Sequence, residues 1–332
     1  MKGICFFIFL FFGLHVAAIA QYAPQAGLPG STAIDATSSL FVGWATGCTV
    51  QRGFMDIANP AGGYASVGDS SDALGMADRS VVSLGDSGIA VLTFANPIIN
   101  GPGPDFAVFE NGFTNSDTPS LAFLELAFVE VSSDGINYFR FPATSLTQDN
   151  VQIWNGRYID ASNINNLAGK YVAMYGTPFD LDELAGLPGL DVNNITHVRV
   201  IDVVGSISGH SSYDSSGRII NDPYPTAFAS GGFDLDAVGI LHEAHESVKQ
   251  LSKDVSVSVY PNPATDEIVV SVKGNTGVIN AVLTNVLGSV LQQTSLNNVV
   301  NKIAIAEYPA GMYYLLLSDA NGNRWTEKVM KR

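Results

Sequence analysis

Carboxylates near the ends of two predicted strands are the residues here whose types and spacing best suit ligand chemistry. Asp234 and Asp236 alternate with apolar residues, so both carboxylates are expected on one face of a strand, about 7 Å apart. Glu110 shares a strand face with apolar side chains and precedes Asn111, which predicts a buried carboxylate that needs a partner. Ca²⁺ prefers such oxygen ligands. We predict one structural calcium ion at Glu110, Asn111, Asp234 and Asp236, with Asp202 as a further candidate ligand.

The same carboxylates have an alternative explanation that the sequence leaves open. An arginine could pair with them instead of a cation, and Arg79, Arg140 and Arg199 are the candidates. Asp105 is not expected to join Glu110, because five residues along a straight strand span about 17 Å and reverse the face.

The net charge of −15 is concentrated in one part of the chain. Residues 21–254 hold 26 acidic and 9 basic residues, whereas residues 255–332 hold 5 and 6. Nucleic acids and anionic membrane surfaces both need a positive patch on the protein, so neither is expected as a partner. An acidic segment rich in Asp and turns is instead consistent with cation binding.

The long polar segment 205–232 is predicted to be a loop that recognises a ligand. Loops of this length inside compact domains are usually functional or disordered. Its aromatic side chains could stack on a sugar or another ring while its polar groups form hydrogen bonds. The predicted ligand-binding residues are His210, Tyr213, Arg218, Tyr224 and Phe228. A surface loop without a ligand is the alternative.

The sequence contains fewer residue patterns typical of catalytic sites than of ligand-binding sites. A glycosidase needs two facing carboxylates, and no pair is singled out by the sequence. The Gly-x-Ser-x-Gly elbow of serine hydrolases does not occur. His242 and His245 are three residues apart, whereas the zinc-protease helix places its two histidines four apart.

The composition predicts an all-β protein. It has 33 Gly and 15 Pro, and short runs rich in Val, Ile, Phe and Tyr alternate with turn residues. Such spacing favours a jelly-roll-like β-sandwich over residues 21–241. Its predicted strands are 88–95, 105–110, 125–132, 138–141, 171–175, 197–204 and 233–241, with a helical turn at 181–187.

Residues 1–20 have the pattern of a cleavable secretory signal peptide. A lysine precedes a short apolar run, and the small residues Ala18 and Ala20 precede Gln21. After cleavage no transmembrane anchor is expected, and Cys48 is the one cysteine that remains, so an intrachain disulfide cannot form.

The last 78 residues carry three motifs in a fixed order. Alternating valines and further short apolar runs predict a small Ig-like β-sandwich there. The motif residues are Tyr260, Pro261, Asn262 and Pro263, then Gly311 and Tyr313, and finally Lys328 and Lys331. This segment resembles the type A C-terminal sorting domain of type IX secretion cargo. The resemblance implies export by that machinery in a bacterium of the Bacteroidetes kind, followed by release or attachment to the cell surface.

The N-terminal domain is similar to the galactose-binding-like jelly rolls, a superfamily that includes many carbohydrate-binding modules. The similarity lies in residues 128–141, 197–202 and 233–240. Residues 101–113 resemble exported bacterial surface proteins of unassigned function. The resemblance implies a sandwich that presents its loops to a ligand.

The predicted organisation is a signal peptide (1–20), a cargo domain (21–241), a linker (242–254) and a sorting domain (255–332). The predicted function is a secreted or surface-attached module that binds a carbohydrate or other small ligand and is stabilised by calcium. A carboxylate-dependent hydrolase on the same sandwich, or a structural surface protein of the adhesin kind, are the alternatives.

Overall fold

The computed structural model describes residues 22–244, 256–274, 277–297, 299–319 and 324–332. The predicted signal peptide and residues 245–254 of the predicted linker lie outside the described residues. The chain divides into two compact units, Met1–Ala244 and His245–Arg332.

The regular secondary structure in the described residues of the first unit consists of strands and three short 3₁₀ turns. The strands are β1 (Ile34–Asp35), β2 (Gly43–Trp44), β3 (Gly47–Gln51), β4 (Val82–Ser83), β5 (Ile89–Ile98), β6 (Phe106–Glu110), β7 (Phe113–Thr114), β8 (Leu121–Phe123), β9 (Ala127–Ser132), β10 (Phe139–Arg140), β11 (Thr144–Ser145), β12 (Ile159–Asp160), β13 (Ile164–Asn165), β14 (Tyr175–Phe179), β15 (Ile195–Asp202) and β16 (Asp234–Ile240). Short 3₁₀ turns occur at Pro60–Gly62, Ala161–Asn163 and Leu181–Leu184.

Two antiparallel sheets form the sandwich of this unit. One has the order β1-β14-β6-β16-β2, with β4 also pairing with β16, and the other has the order β10-β9-β15-β5-β3. The long strands β5, β6, β9, β14, β15 and β16 alternate between the two sheets along the chain, as in a jelly roll. The predicted all-β sandwich is confirmed.

Strand β6 is covered on both faces, which explains the burial of the carboxylate at its end. Phe106 and Val108 belong to the core between the sheets. Ala107 and Phe109 belong to a second cluster on the opposite face, where Phe109 contacts the ring of Trp44. Because neither face of β6 meets solvent, the strand delivers Glu110 into the protein interior.

The predicted strands 88–95, 105–110, 125–132, 138–141, 197–204 and 233–241 overlap β5, β6, β9, β10, β15 and β16. The predicted strand 171–175 is wrong, because the strand there is β14, Tyr175–Phe179. The preceding residues form a turn in which Met174 has φ of 70° and Tyr175 N–H donates to the carbonyl of Val172 at 3.0 Å. Tyr171 is buried, and Val172 and Met174 are partly buried against the apolar clusters, although they are not in a strand.

The second unit is a smaller sandwich. Its strands are β17 (Ser256–Tyr260), β18 (Glu267–Lys273), β19 (Ile279–Asn285), β20 (Val290–Leu296), β21 (Val300–Ala304), β22 (Gly311–Asp319) and β23 (Arg324–Lys331).

The strands of the second unit form a three-stranded sheet, β17-β18-β21, and a four-stranded sheet, β20-β19-β22-β23. Alternate residues of both sheets enclose one apolar cluster, to which Val270, Leu283, Leu315 and Val329 belong. The predicted small sandwich over this segment is confirmed.

Candidate functional site

A pocket of about 310 Å³ lies in the first unit, where β6 ends and β16 begins. It is lined by Asn111, Phe113, Phe123, Glu125, Asn155, Gly156, Phe228, Ser230 and Asp234. The lining combines two carboxylates, two amides and three phenylalanine rings, and it contains no basic side chain.

Asp234 is held at this pocket by neighbours on two strands. Ser83 on β4 donates a short hydrogen bond to its Oδ1, and the amide of Asn111 donates to its Oδ2 at 2.9 Å. Burial raises the pKa of Asp234, and the two hydrogen bonds oppose that shift. The expected proximity of Asn111 and Asp234 is therefore seen.

Glu110 lies beside Asp234, because it pairs with Leu235 in the β6–β16 register. Its Oε2 accepts a hydrogen bond of 2.7 Å from Gly112 N–H. Its Oε1 is buried and has no hydrogen-bond partner in the described part of the chain. Burial and the charges of Asp234 and Asp236 raise the pKa of Glu110 well above its usual value.

Glu125 is a site residue that sequence reasoning missed. It lies between the buried Leu124 and Leu126, is 6% exposed and lines the pocket. Among the described residues, none donates a hydrogen bond to its carboxylate. Burial, followed by the charges of Asp234 and Glu110, raises its pKa well above the ordinary value. An unpartnered carboxylate inside a pocket is costly and therefore points to a ligand.

The other two predicted calcium ligands have their oxygens occupied by backbone donors. Asp236 accepts from the N–H groups of Asp78 and Arg79, each at 3.1 Å. Asp202 accepts from the N–H of Ser87 at 2.9 Å and from that of Phe233 at 2.7 Å. In the described ranges no group of three or more His, Cys, Asp or Glu side chains is arranged to hold a metal ion. Calcium at the five predicted residues stays a prediction.

The arginines named as alternative partners are engaged elsewhere. Arg140 and Arg199 both donate to Glu130, from Nε atoms at 2.8 and 2.6 Å. Arg79 contributes its backbone N–H to Asp236. Within the described residues no ion pair forms between an arginine side chain and Glu110 or Asp236. The charges of Arg79 and Arg52 act without direct contact, lowering the pKa values of Asp236 and Asp234, respectively, against the effect of burial.

The five loop residues predicted to bind a ligand do not form one site in the described structure. Phe228 lines the pocket, whereas Tyr213 is 56% exposed outside its lining. Arg218 forms an ion pair of 2.8 Å with Asp214.

The remaining two loop residues lie near another buried acid. Tyr224 donates to Asp56 at 3.0 Å, and its pKa is raised to about 12, chiefly by burial. The charge of His210 lowers the pKa of Asp86, which burial raises to about 6. The ligand-binding role of these residues stays a prediction.

Two further polar residues of the loop point inward rather than toward a ligand. Asn221 accepts a hydrogen bond from Ile153 N–H at 3.0 Å and donates to the carbonyl of Val151 at 2.8 Å. Asp222 accepts from Leu126 N–H at 3.0 Å. These bonds fix the loop to the sandwich.

The motif residues of the second unit contact one another across the sandwich. Asn262 donates from Nδ2 to the carbonyl of Lys328 at 2.6 Å, and Met330 N–H donates to its Oδ1 at 2.8 Å. Gly311 faces Lys331 in the β22–β23 register.

Tyr313 anchors the middle motif within the core of the same unit. Its ring is buried, and its hydroxyl donates to the carbonyl of Pro309 at 2.6 Å. Together with the contacts of Asn262, this places all three motifs in one folded unit.

Residues 258–332 match the family model described as a secretion system C-terminal sorting domain. This segment is a type IX secretion sorting domain. The sorting domain implies an interaction with the secretion machinery, and it shows that the protein is secreted or displayed at the cell surface. The resemblance read from the three motifs is confirmed.

Solved structures similar to the chain include a secretion-system component, a domain of a biofilm-associated protein and an enzyme. PorZ, an essential surface component of the type IX secretion system of Porphyromonas gingivalis, is 16% identical with a TM-score of 0.20, and the match covers 29% of this chain and 14% of PorZ. The BSP domain of a biofilm-associated protein is 12% identical with a TM-score of 0.22, over 89% of this chain and 53% of the other. A β-glucuronidase from Ruminococcus gnavus is 13% identical with a TM-score of 0.19, over 86% and 45%.

None of these likenesses carries an argument about the N-terminal unit, because each TM-score is about 0.2. The chain spans about half or less of the length of each. Support for the galactose-binding-like resemblance is weak. No curated protein matches the chain. Among the described residues, no helix has the length and apolar character needed to cross a membrane.

Proposed function

We propose that the exported protein is a surface binding module whose N-terminal sandwich takes a carbohydrate or another small ligand and is stabilised by calcium. The observation that carries the proposal is Glu125, a buried carboxylate without a hydrogen-bond partner among the described residues, at the wall of a pocket. A folded protein keeps such a group at a cost unless a ligand compensates it.

The walls of the pocket suit a small ligand. Phe113 and Phe123 stack with their ring centroids 5.2 Å apart, and Phe228 lines the pocket with them. Amide groups of Asn111 and Asn155 supply hydrogen-bonding partners beside the rings. Aromatic surface with a few polar groups is the usual lining of a ligand site of a few hundred cubic ångströms.

Calcium is proposed for the carboxylates of the same region. Glu110 and Asp234 are both buried, both have raised pKa values, and no arginine side chain pairs with Glu110 among the described residues. Two carboxylates, the amide oxygen of Asn111 and water molecules would form a weak site, and extracellular calcium sites need only millimolar affinity.

Ligand binding is tested with a glycan array and the mature full-length protein. We expect at least one glycan to bind the wild type and to lose that binding in Phe228→Ala. Tyr213→Ala is the matched control, because it removes an exposed aromatic side chain of the same loop that lies outside the pocket. Loss of binding in Tyr213→Ala alone would place the ligand elsewhere on the loop, and no binding at all would favour a structural role.

Calcium binding is tested by the melting temperature of metal-stripped protein with and without added Ca²⁺. Stabilisation by calcium in the wild type, reduced in Asn111→Ala, would support the ion. An unchanged melting temperature over the millimolar range would remove calcium from the proposal.

A hydrolase is the second candidate, because Glu125 and Asp234 line the same pocket. The raised pKa of Glu125 would keep a proton available for a general acid. Hydrolysis of array-positive glycans by the wild type, lost in Glu125→Gln, would establish this activity. Binding without hydrolysis would exclude it for those glycans.

A further inference from the structure

We infer that the pocket lined by Glu125, Asp234, Phe113, Phe123 and Phe228 takes a ligand that carries a positively charged ammonium group. The inference rests on the proposed binding function and names the chemical class of the ligand. Its central observation is the absence of any basic side chain from the described lining of a pocket that contains two carboxylates.

The first argument concerns the unmatched negative charge. Asp234 is already held by Ser83 and Asn111, whereas Glu125 accepts no hydrogen bond from a described residue. Nearby, the buried Oε1 of Glu110 also has no hydrogen-bond partner among the described residues. A protonated amine in the pocket would both donate hydrogen bonds to Glu125 and offset the negative charge of the ionised carboxylates, whereas a quaternary ammonium group, which has no N–H, would supply the charge alone.

The second argument comes from the aromatic walls. Phe113 is 53% exposed and Phe228 is 46% exposed, although both side chains are large and apolar. The face of an aromatic ring attracts a cation, and aromatic surfaces near carboxylates are a common way to bind ammonium groups. A neutral apolar ligand would contact the phenylalanine rings but leave the carboxylates without a counter-charge. A cationic ligand would interact with both the rings and the carboxylates.

The third argument favours an organic cation over a bare metal ion at Glu125, the pocket carboxylate that is not among the proposed calcium ligands. Calcium requires six to eight oxygen atoms that converge at about 2.4 Å. In the part of the chain that the structure describes, no three acidic, histidine or cysteine side chains are so arranged. The pocket volume of about 310 Å³ instead accommodates a small molecule whose charge is spread over several carboxylate contacts.

The experiment compares charged and neutral probes of matched shape by titration calorimetry with the mature full-length protein at neutral pH. Glucosamine is compared with N-acetylglucosamine, and choline with its neutral isostere 3,3-dimethyl-1-butanol. The two pairs distinguish a primary ammonium group on a sugar from a quaternary one. We expect the charged member of at least one pair to bind ten-fold or more tightly than its neutral counterpart.

Variants then locate the binding. Glu125→Gln keeps the shape of the side chain but cannot ionise when a cation binds, and we expect it to weaken binding of the charged probe at least ten-fold. Asp149→Asn is the control, because it removes one exposed carboxylate far from the pocket lining, and its affinity should match the wild type. Phe228→Ala should weaken the charged probe as well.

Four results would overturn the inference. Equal binding of charged and neutral probes would show that the pocket does not select charge, while the proposed binding function would stand. Binding of charged probes that Glu125→Gln leaves unchanged would place them elsewhere. A metal site would be identified instead if the wild type binds calcium, Glu125→Gln abolishes that binding, and neither charged probe displaces the ion. If no probe binds, the inference fails, and the glycan array decides separately whether the binding function fails with it.

Discussion

Asn262 donates a hydrogen bond of 2.6 Å from its amide to the carbonyl oxygen of Lys328, 66 residues further along the chain. The oxygen of the same amide accepts from Met330 N–H. One side chain of the first sorting motif thus binds two backbone groups of the strand that carries the last motif. The motifs are far apart in sequence, but they meet in the folded domain.

We expect Asn262→Ala to destabilise the sorting domain. Both hydrogen bonds are lost, and the loss should lower the free energy of unfolding by about 1 to 2 kcal/mol. Chemical denaturation monitored by tryptophan fluorescence of Trp325 would measure it. Gln293→Ala is the control, because this side chain is exposed on β20 and should leave the stability unchanged. Equal stabilities of the two variants would contradict the structural role of Asn262.

We expect Glu130→Gln to weaken the first unit. Its buried carboxylate accepts from Arg140 and Arg199 at once, and the neutral amide cannot bind both guanidinium groups equally well. Because both arginines are partly exposed, the loss should be roughly 1 to 2 kcal/mol rather than the larger cost of a fully buried pair. Thermal unfolding at low and high salt would measure the loss of stability. A loss that vanishes at high salt would show that it comes from the charge of Glu130 alone.

We expect Glu125→Gln to stabilise the ligand-free protein at neutral pH. A carboxylate whose pKa is raised by burial favours the unfolded state when it ionises, and glutamine removes that penalty. The gain should be about 1 to 3 kcal/mol in urea denaturation at neutral pH and should disappear at acid pH. A loss of stability at neutral pH would show that Glu125 makes a favourable interaction that the described contacts do not contain.

We expect the first unit to lose stability as the pH rises from about 4 to about 6. Burial raises the pKa of Asp86 and of Asp236 to about 6, from 3.8. Between these values the native state holds protons that the unfolded chain has released, so the free energy of unfolding falls with rising pH. Glu110, Glu125, Asp202 and Asp222, whose pKa values burial raises well above the usual range, extend the fall beyond pH 6. Asp134 has a lowered pKa and acts in the opposite direction only below about pH 4. Urea denaturation across this range would measure the slope, and rising stability between pH 4 and 6 would contradict the assignment.

Strands were predictable wherever alternation, turn residues and burial agreed. Strands β6, β9 and β16 follow short apolar runs between turns, and the structure contains them within a few residues of the predicted limits. The segment at 171–175 misled because its apolar side chains pack against the core from a turn, and an apolar run alone does not distinguish a turn from a strand.

The candidate site was predictable only in part. Asn111 and Asp234 were placed together because each ends or begins a strong strand. Glu125 was missed because local alternation says nothing about which surface a later loop will cover. The pairing of Asp202 with backbone N–H groups was likewise invisible, since it depends on turns more than 30 residues away.

Cys48 lies on β3, the outermost strand of the five-stranded sheet, and burial raises the pKa of its thiol to about 11. Thiolate, the reactive form, is therefore scarce while β3 stays paired. An alkylating reagent should therefore react slowly with the folded protein and faster once that edge has opened, because the unfolded thiol reverts to an ordinary pKa. The rate at which Cys48 is alkylated under native conditions would therefore measure how often the β3 edge of the sheet opens.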